Sequence, residues 1–177
     1  MTTKKTNPKP RNATESKAKI LLAAQQSFAE RGYSQAGIRE IAGKADVSST
    51  LLLRYFGSKA GLFEASLLDA VQVAELFETD RSEFGNNLAS IVANTNLDFK
   101  PPSMVALATG DDDAREVATK VTAEQVLKPL AKWLGSPNGR VRALEIMMLG
   151  MGFVLFTRQF PLLGKKRNIA PELIEWF

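Results

Sequence analysis

Apolar residues recur three and four positions apart along most of the chain, the spacing that lines one face of an α-helix. Ile20, Leu21, Ala24 and Phe28 form the first such stripe. It starts near Ala13, where Asn12 and Glu15 stand in capping-box spacing, and Gly32 stops it. A second, short helix fits Ile38 to Ala45, with Ile38, Ile41 and Ala42 inward. Asp46-Val47-Ser48 breaks the pattern, and a third helix runs from Ser49 to Phe56. Gly57 ends it. Ser58 is placed to cap a fourth helix from about Lys59 to Thr79, whose inward side carries Leu62, Phe63, Leu67, Ala70, Val71, Ala74 and Phe77.

The second half continues in the same period. Ser82 to Asn94 predicts a helix with Phe84, Leu88, Ile91 and Val92 inward, and Pro101-Pro102 opens a short one ending at Gly110. Asp111-Asp112-Asp113 sits at the positive end of a long helix through Leu134, kinked at Pro129 and closed by Gly135. Pro137 to Phe160 reads as another long helix, and Ile169 to Phe177 as a last short one. No alternating strand pattern and no repeat of 20–50 residues interrupts this. The expected fold class is all-α.

Composition narrows the chemistry. The chain has 177 residues, the size of one domain or two small ones, with 45% apolar and 24% charged residues. It has no cysteine and no histidine. That excludes disulfides, thiolate or imidazole metal sites, cysteine nucleophiles and the Ser-His-Asp triad, and it removes most acid–base chemistry near neutral pH. The expectation is a protein that is not an enzyme and uses no metal or cofactor. Asp111–Asp113 are consecutive, without the alternating spacing of a calcium loop. Met1–Arg11 is basic but is followed by polar residues rather than a secretory apolar core. The longest apolar stretch, Ile146 to Phe156, is 11 residues, against the roughly 20 of a membrane span. A cytoplasmic protein without a membrane partner is expected.

Charge is unevenly spread. Residues 1–60 hold 11 Lys and Arg against 4 Asp and Glu, whereas the remainder holds 12 against 15. A basic head on a mildly acidic body suggests a polyanion partner, although basic surface also serves solubility. The expected organisation is a disordered basic arm over 1–11, a head over 12–77 and a helical body over 78–177.

Within the head, Gly37 to Phe56 has the form of a helix-turn-helix. Two helices joined by so short a turn must cross steeply, and Ala42 is small enough for the crossing. Asp46 occupies the turn position that demands a positive φ, which Asp tolerates better than most residues. Val47 plugs the junction, and Leu52 and Phe56 anchor the second helix. The opposite face, with Ser49, Thr50, Leu53 and Arg54, is free to enter a major groove.

With its surroundings, the motif resembles the DNA-binding domain of the TetR family of bacterial transcriptional regulators. The matching residues are Ile20-Leu21, Ala23-Ala24 and Phe28 to Tyr33, then Ile38 to Ala42, Val47-Ser48, Arg54-Tyr55-Phe56, Gly57-Ser58-Lys59 and Gly61-Leu62-Phe63. They cover roughly residues 16–77. The resemblance implies that Lys59 and Tyr55 face DNA phosphate, with Tyr55 also able to pack the core. Arg54 is left to read guanine or to touch phosphate. Ser48 caps the recognition helix, with a phosphate contact as a second role. Where many members carry Thr or Ser at the start of the second helix, this chain has Ala36-Gly37, leaving backbone N–H groups at Gly37 and the side chain of Arg39 to meet phosphate. Where many carry Tyr in the recognition helix, it has Leu53, which suits a thymine methyl and accepts no hydrogen bond.

The resemblance implies a homodimer bound to palindromic double-stranded DNA and released by a small-molecule effector, here of unknown identity and expected to be apolar. The expected effector cavity is enclosed by Phe84, Leu88, Met104, Leu107, Val126 and Met147. The expected dimer seam is the 137–160 helix, through Val141, Leu144, Met148, Met151, Phe153 and Leu155, because an apolar run on all faces must be buried on all faces. Gly150 and Gly152 would let a neighbouring helix approach. An effector-independent regulator or activator, and a helical hydrophobe-binding protein with an incidental helical corner, are the competing readings.

Overall fold

The computed structural model describes residues 11–73, 77–78, 80–94, 99–160 and 169–177; the basic arm, apart from the backbone of Arg11, lies outside them. The helical period is realised as α1 (Arg11–Gln35), α2 (Ile38–Lys44), α3 (Ser49–Phe56) and α4 (Lys59–Ala70). The body follows as α5 (Phe84–Ala93), α6 (Pro101–Leu107), α7 (Asp112–Thr122), α8 (Lys128–Leu134), α9 (Gly139–Val154) and α10 (Pro171–Trp176). No strand occurs among the described residues. The fold is all-α.

Several helix ends depart from the apolar period. The backbone breaks at Gly32, where φ is 74° and ψ 169°, yet a last helical turn follows to Gln35. The fourth helix ends at Ala70 rather than Thr79, because Val71 turns extended (φ −82°, ψ 95°). That turn carries Val71 and Phe77 toward the body instead of along the helix. Ala74 and Thr79 lie outside the described residues, as do the side chain of Asn12 and with it the expected capping box. The expected kink at Pro129 takes the form of a π-helical turn over Ala123–Leu127. Proline has no N–H and its ring crowds the carbonyl four residues back, and a wider turn relieves both. The long 137–160 helix begins at Gly139, after Asn138 at φ 61°, and widens into a second π turn over Leu155–Gln159.

The head has a core of its own making only in part. Ile20, Ala24, Phe28, Ile41, Leu52, Leu62, Phe63 and Leu67 are fully enclosed, and the same cluster takes in Met104 of α6, Ala108 just after it, and Ala114, Ala118 and Val121 of α7. The body therefore completes the head. Phe28, Tyr33 and Phe63 meet as an aromatic trio, with Phe63 edge-on to both partners at 5.0 and 5.5 Å between ring centres. Gln25 ties α1 to α4, its Nε2 donating to the Ser66 carbonyl at 3.2 Å and to Asp69 Oδ2 at 2.7 Å. Two smaller clusters build the body. Phe84, Leu127, Leu130 and Ala143 gather around Trp133, while Val92, Phe153 and Val154 take Leu173 and Phe177 from the end of the chain.

Candidate nucleic-acid interface

The helix-turn-helix forms because each residue of the turn satisfies a separate demand. Ala42 is 1% exposed where α2 meets its neighbours, leaving no room for a larger side chain. The Val47 N–H donates to the Ala42 carbonyl at 3.0 Å and that of Asp46 to Gly43 at 3.2 Å, which closes the turn. Asp46 stands at φ 54°, the left-handed conformation its position demands. Ser48 then starts α3: its Oγ accepts from the Leu51 N–H at 3.2 Å, satisfying one of the donors every helix start leaves open. Leu52 is fully buried beneath the helix, and Phe56 packs against the same core.

What remains outward is one face of α3. Thr50, Leu53 and Arg54 are exposed, and Ser49 is half-buried at the first turn. Leu53 is 40% exposed, an aliphatic side chain with no packing reason to stand among polar ones. Arg54, and Arg39 on the exposed side of α2, make no hydrogen bond or ion pair among the described residues. Gly37 precedes α2 in an extended conformation (φ −92°, ψ 137°), and a side chain there would meet nothing within 4 Å. Its carbonyl accepts from the Ile41 N–H at 3.0 Å, so the N–H groups of Ile38, Arg39 and Glu40 precede the helical ladder of α2.

The other head cations are engaged. Glu40 takes Arg31 at 2.5 Å and Lys44 at 3.3 Å, and Lys44 also donates to Ser27 Oγ at 3.1 Å, so these three side chains fasten α2 to α1. Tyr55 is half-buried, packs against the core, and lies beneath the Lys17 ammonium 5.3 Å from its ring centre. Lys59 opens α4 and turns back onto α1. Its Nζ donates to the Ser34 carbonyl at 3.3 Å and lies 4.5 Å over the Tyr33 ring. Burial holds this ammonium below the ordinary lysine pKa, against the opposing pull of the Asp111 carboxylate. The sequence gives Lys17 no role, and it marks Tyr33 only as part of the family resemblance. Their partners lie 38 and 26 positions away, beyond any local spacing rule.

Comparison with known proteins accords with this geometry. The family model of bacterial regulatory proteins of the tetR family matches residues 20–66, the stretch that contains α2, the turn and α3. Residues 20–66 thus match the TetR-family DNA-binding domain. Over 53 residues it is 43% identical to the HTH-type transcriptional activator FasR of Mycolicibacterium smegmatis. That stretch is 30% of this chain and spans about a quarter (24%) of FasR. The fold likeness is longer. A TetR-family transcriptional regulator from Rhodococcus superposes with a TM-score of 0.71 at 19% identity, covering 92% of this chain and 94% of that one. NalD, the secondary repressor of the MexAB-OprM multidrug efflux pump in Pseudomonas aeruginosa, gives 0.66 at 18%, covering 93% and 94%. A transcriptional regulator from Saccharomonospora viridis, solved in complex with choline, gives 0.64 at 20%, covering 92% and 93%.

The body of the chain holds a partly open cavity of about 150 Å³ among α5 to α9. Phe84, Leu88, Val126 and Met147 line it, together with Val71, Phe77, Phe99 and Val105. Met104 and Leu107 do not. They sit on the opposite side of α6, where Met104 is buried in the head's core and the Leu107 Cβ lies 3.2 Å from where a Gly32 Cβ would stand. The cavity side of α6 is Pro101, Pro102 and Val105.

The expected seam on α9 also divides. Val141 and Met148 face outward at 54% and 67% exposure, joined by Leu149, Phe156 and Phe160. Met151 lines the cavity instead, and Leu144 packs around Trp133. Phe153 is buried against Phe177, their ring centres 4.7 Å apart, so it is a core residue of one chain. Leu155 is half-buried in the π turn. Gly150 lies at the cavity wall under the Phe177 ring, whereas Gly152 faces open space. Asp111 caps α7 by accepting from the Ala114 N–H at 3.0 Å, and Asp112 pairs with Arg115 at 2.6 Å. No helix among the described residues is long and apolar enough to cross a membrane.

Proposed function

We propose that this protein is a homodimeric transcriptional repressor acting in the cytoplasm, held on a palindromic operator by its head (12–77) and released when a small apolar ligand fills the cavity of its body (78–177). The observation that carries the reading is the pair of unpartnered guanidinium groups, Arg39 and Arg54, on the exposed side of a capped helix-turn-helix that matches the TetR-family model. An arginine without an internal partner has its full fork of donors free for phosphate or for guanine O6 and N7. In this reading Thr50, Leu53 and Arg54 enter the major groove. Ser49 and the N–H groups behind Gly37 meet the backbone, with Ser48, Tyr55 and Lys59 beside them. One head spans too few base pairs for genomic specificity, so a two-fold dimer sets two recognition helices about 34–36 Å apart. The outward stripe of Val141, Met148, Leu149 and Phe156 supplies the seam.

The ligand acts through shared walls. Val71, at the end of α4, and Pro101, Pro102 and Val105, on α6, line the cavity, while Leu107 at the far end of α6 abuts Gly32 of α1. A ligand that prefers a displaced α4 and α6 mis-spaces the heads, and its effect on DNA is bounded by that preference.

Selection of duplexes from a random library with the wild-type protein tests the reading. An enriched palindrome is expected, with log K falling linearly in log[salt] by about 0.9 per phosphate contact. Arg54→Ala should cost about 1–3 kcal/mol and relax preference at one base pair if the fork reads guanine. Equal weakening on every sequence assigns Arg54 to phosphate. Failure to enrich any duplex overturns the proposal.

A further inference from the structure

Lys59 and Tyr33 form an arrangement that neither the helix-turn-helix nor the cavity requires. A lysine at the first position of a helix is ordinarily a solvated side chain, and a positive charge there opposes the helix dipole. Here the chain doubles back. The ammonium sits 4.5 Å over the centre of the Tyr33 ring and donates one hydrogen bond to the Ser34 carbonyl. An ammonium has three N–H donors, so two remain for another acceptor. The ring itself is packed into the core. Tyr33 is 8% exposed, stacks on Phe28 at 5.9 Å and meets Phe63 edge-on at 5.5 Å. Behind it, the Gly32 backbone is pressed against Leu107 of α6, which fixes the last turn of α1 and hence the carbonyl of Ser34. Lys59 is therefore held by a platform that is part of the core.

We infer that Tyr33 is a positioning residue for DNA binding: its ring holds the Lys59 ammonium over the last turn of α1, with two donors open, before DNA arrives. The inference rests on the proposed DNA-binding function. A free lysine loses side-chain rotamer entropy when it is fixed on a phosphate, and a lysine already held does not. The ring face also offsets the ammonium's partial loss of water through its quadrupole, which an aliphatic side chain of similar bulk cannot do.

The test is a double-mutant cycle on the duplex that wild-type protein enriches from a random library. Tyr33→Phe keeps the ring and is expected to bind as wild type does. Tyr33→Leu removes it and is expected to weaken binding by about three- to tenfold. In a Lys59→Ala background, Tyr33→Leu is expected to cost nothing further. If it costs the same in both backgrounds, Tyr33 serves the core alone and the inference is overturned. Because Tyr33→Leu also disturbs packing, the wild-type protein provides an independent measurement. The Lys59 Hε protons should be shifted upfield by the ring in the free protein and remain so with DNA bound. Resonances at ordinary lysine positions in the free protein overturn the inference. Wild type that enriches no duplex overturns the inference and the DNA-binding function together, whereas enrichment with an additive cycle overturns the inference alone.

Discussion

At the scale of single residues, two positions in the head carry backbone demands of different severity. Asp46 sits at φ 54° in the turn between α2 and α3, a conformation open to Asp and Asn but strained for alanine. Gly32 sits at φ 74° and ψ 169°, a region only glycine enters freely, and a methyl group there would also press on the Cβ and carbonyl of Leu107 at 3.2 Å. Gly32→Ala is accordingly expected to lower stability by about 2–3 kcal/mol, read as a shift in the urea unfolding midpoint. A loss below about 1 kcal/mol would mean that the end of α1 and the end of α6 are not locked together. Asp46 was legible in the sequence, since its place in the turn dictates a positive φ. The role of Gly32 was legible only as a helix stop, because the contact with Leu107 joins residues 75 positions apart.

At the scale of elements, the recognition helix is set by its ends. Ser48 caps α3 through a hydrogen bond to the Leu51 N–H, and Gly57 closes it at φ 74°. Ser48→Ala removes the cap and should cost about 1 kcal/mol in thermal unfolding, with Ser48→Asp retaining most of it. An unchanged melting temperature in Ser48→Ala would show that packing beneath Leu52 alone defines the start of α3. These bounds follow from local chemistry, so the sequence predicts Ser49 to Phe56 correctly. The fourth helix is the counter-example. Val71 and Phe77 continue its apolar period, yet α4 ends at Ala70 and both side chains, half-buried, line the cavity wall rather than the helix face. Periodicity reports that a residue is to be buried, without reporting against which partner.

At the scale of the whole molecule, the outward face of α9 is the proposed dimer seam. Met148 is 67% exposed at the centre of the stripe, so a charge there costs a single chain little. Met148→Glu is expected to weaken the proposed dimer by about a hundredfold or more, giving monomers by sedimentation with an unfolded fraction no larger than wild type. An intact dimer would move the seam off α9. Phe153→Glu is the contrasting variant: its side chain lies against Phe177 inside one chain, so it should lose the fold rather than the partner.

The sequence by itself determined the all-α class, the helix-turn-helix with its caps and turn, and the outward set of Thr50, Leu53 and Arg54. Each depends on neighbours within a few residues, where hydrogen bonds and the 3.6-residue period act directly. Only the tertiary structure decided which side of α6 faces the cavity, which side of α9 faces outward, and which cations remain free. α9 is apolar nearly all round, so no period distinguishes Met148, turned to solvent, from Phe153, turned inward. The charges are sorted by the same kind of distant packing. Glu40 engages Arg31 and Lys44, and the Lys59 ammonium lies over the Tyr33 ring, while Arg39 and Arg54 have no hydrogen-bond or ion-pair partner among the described residues.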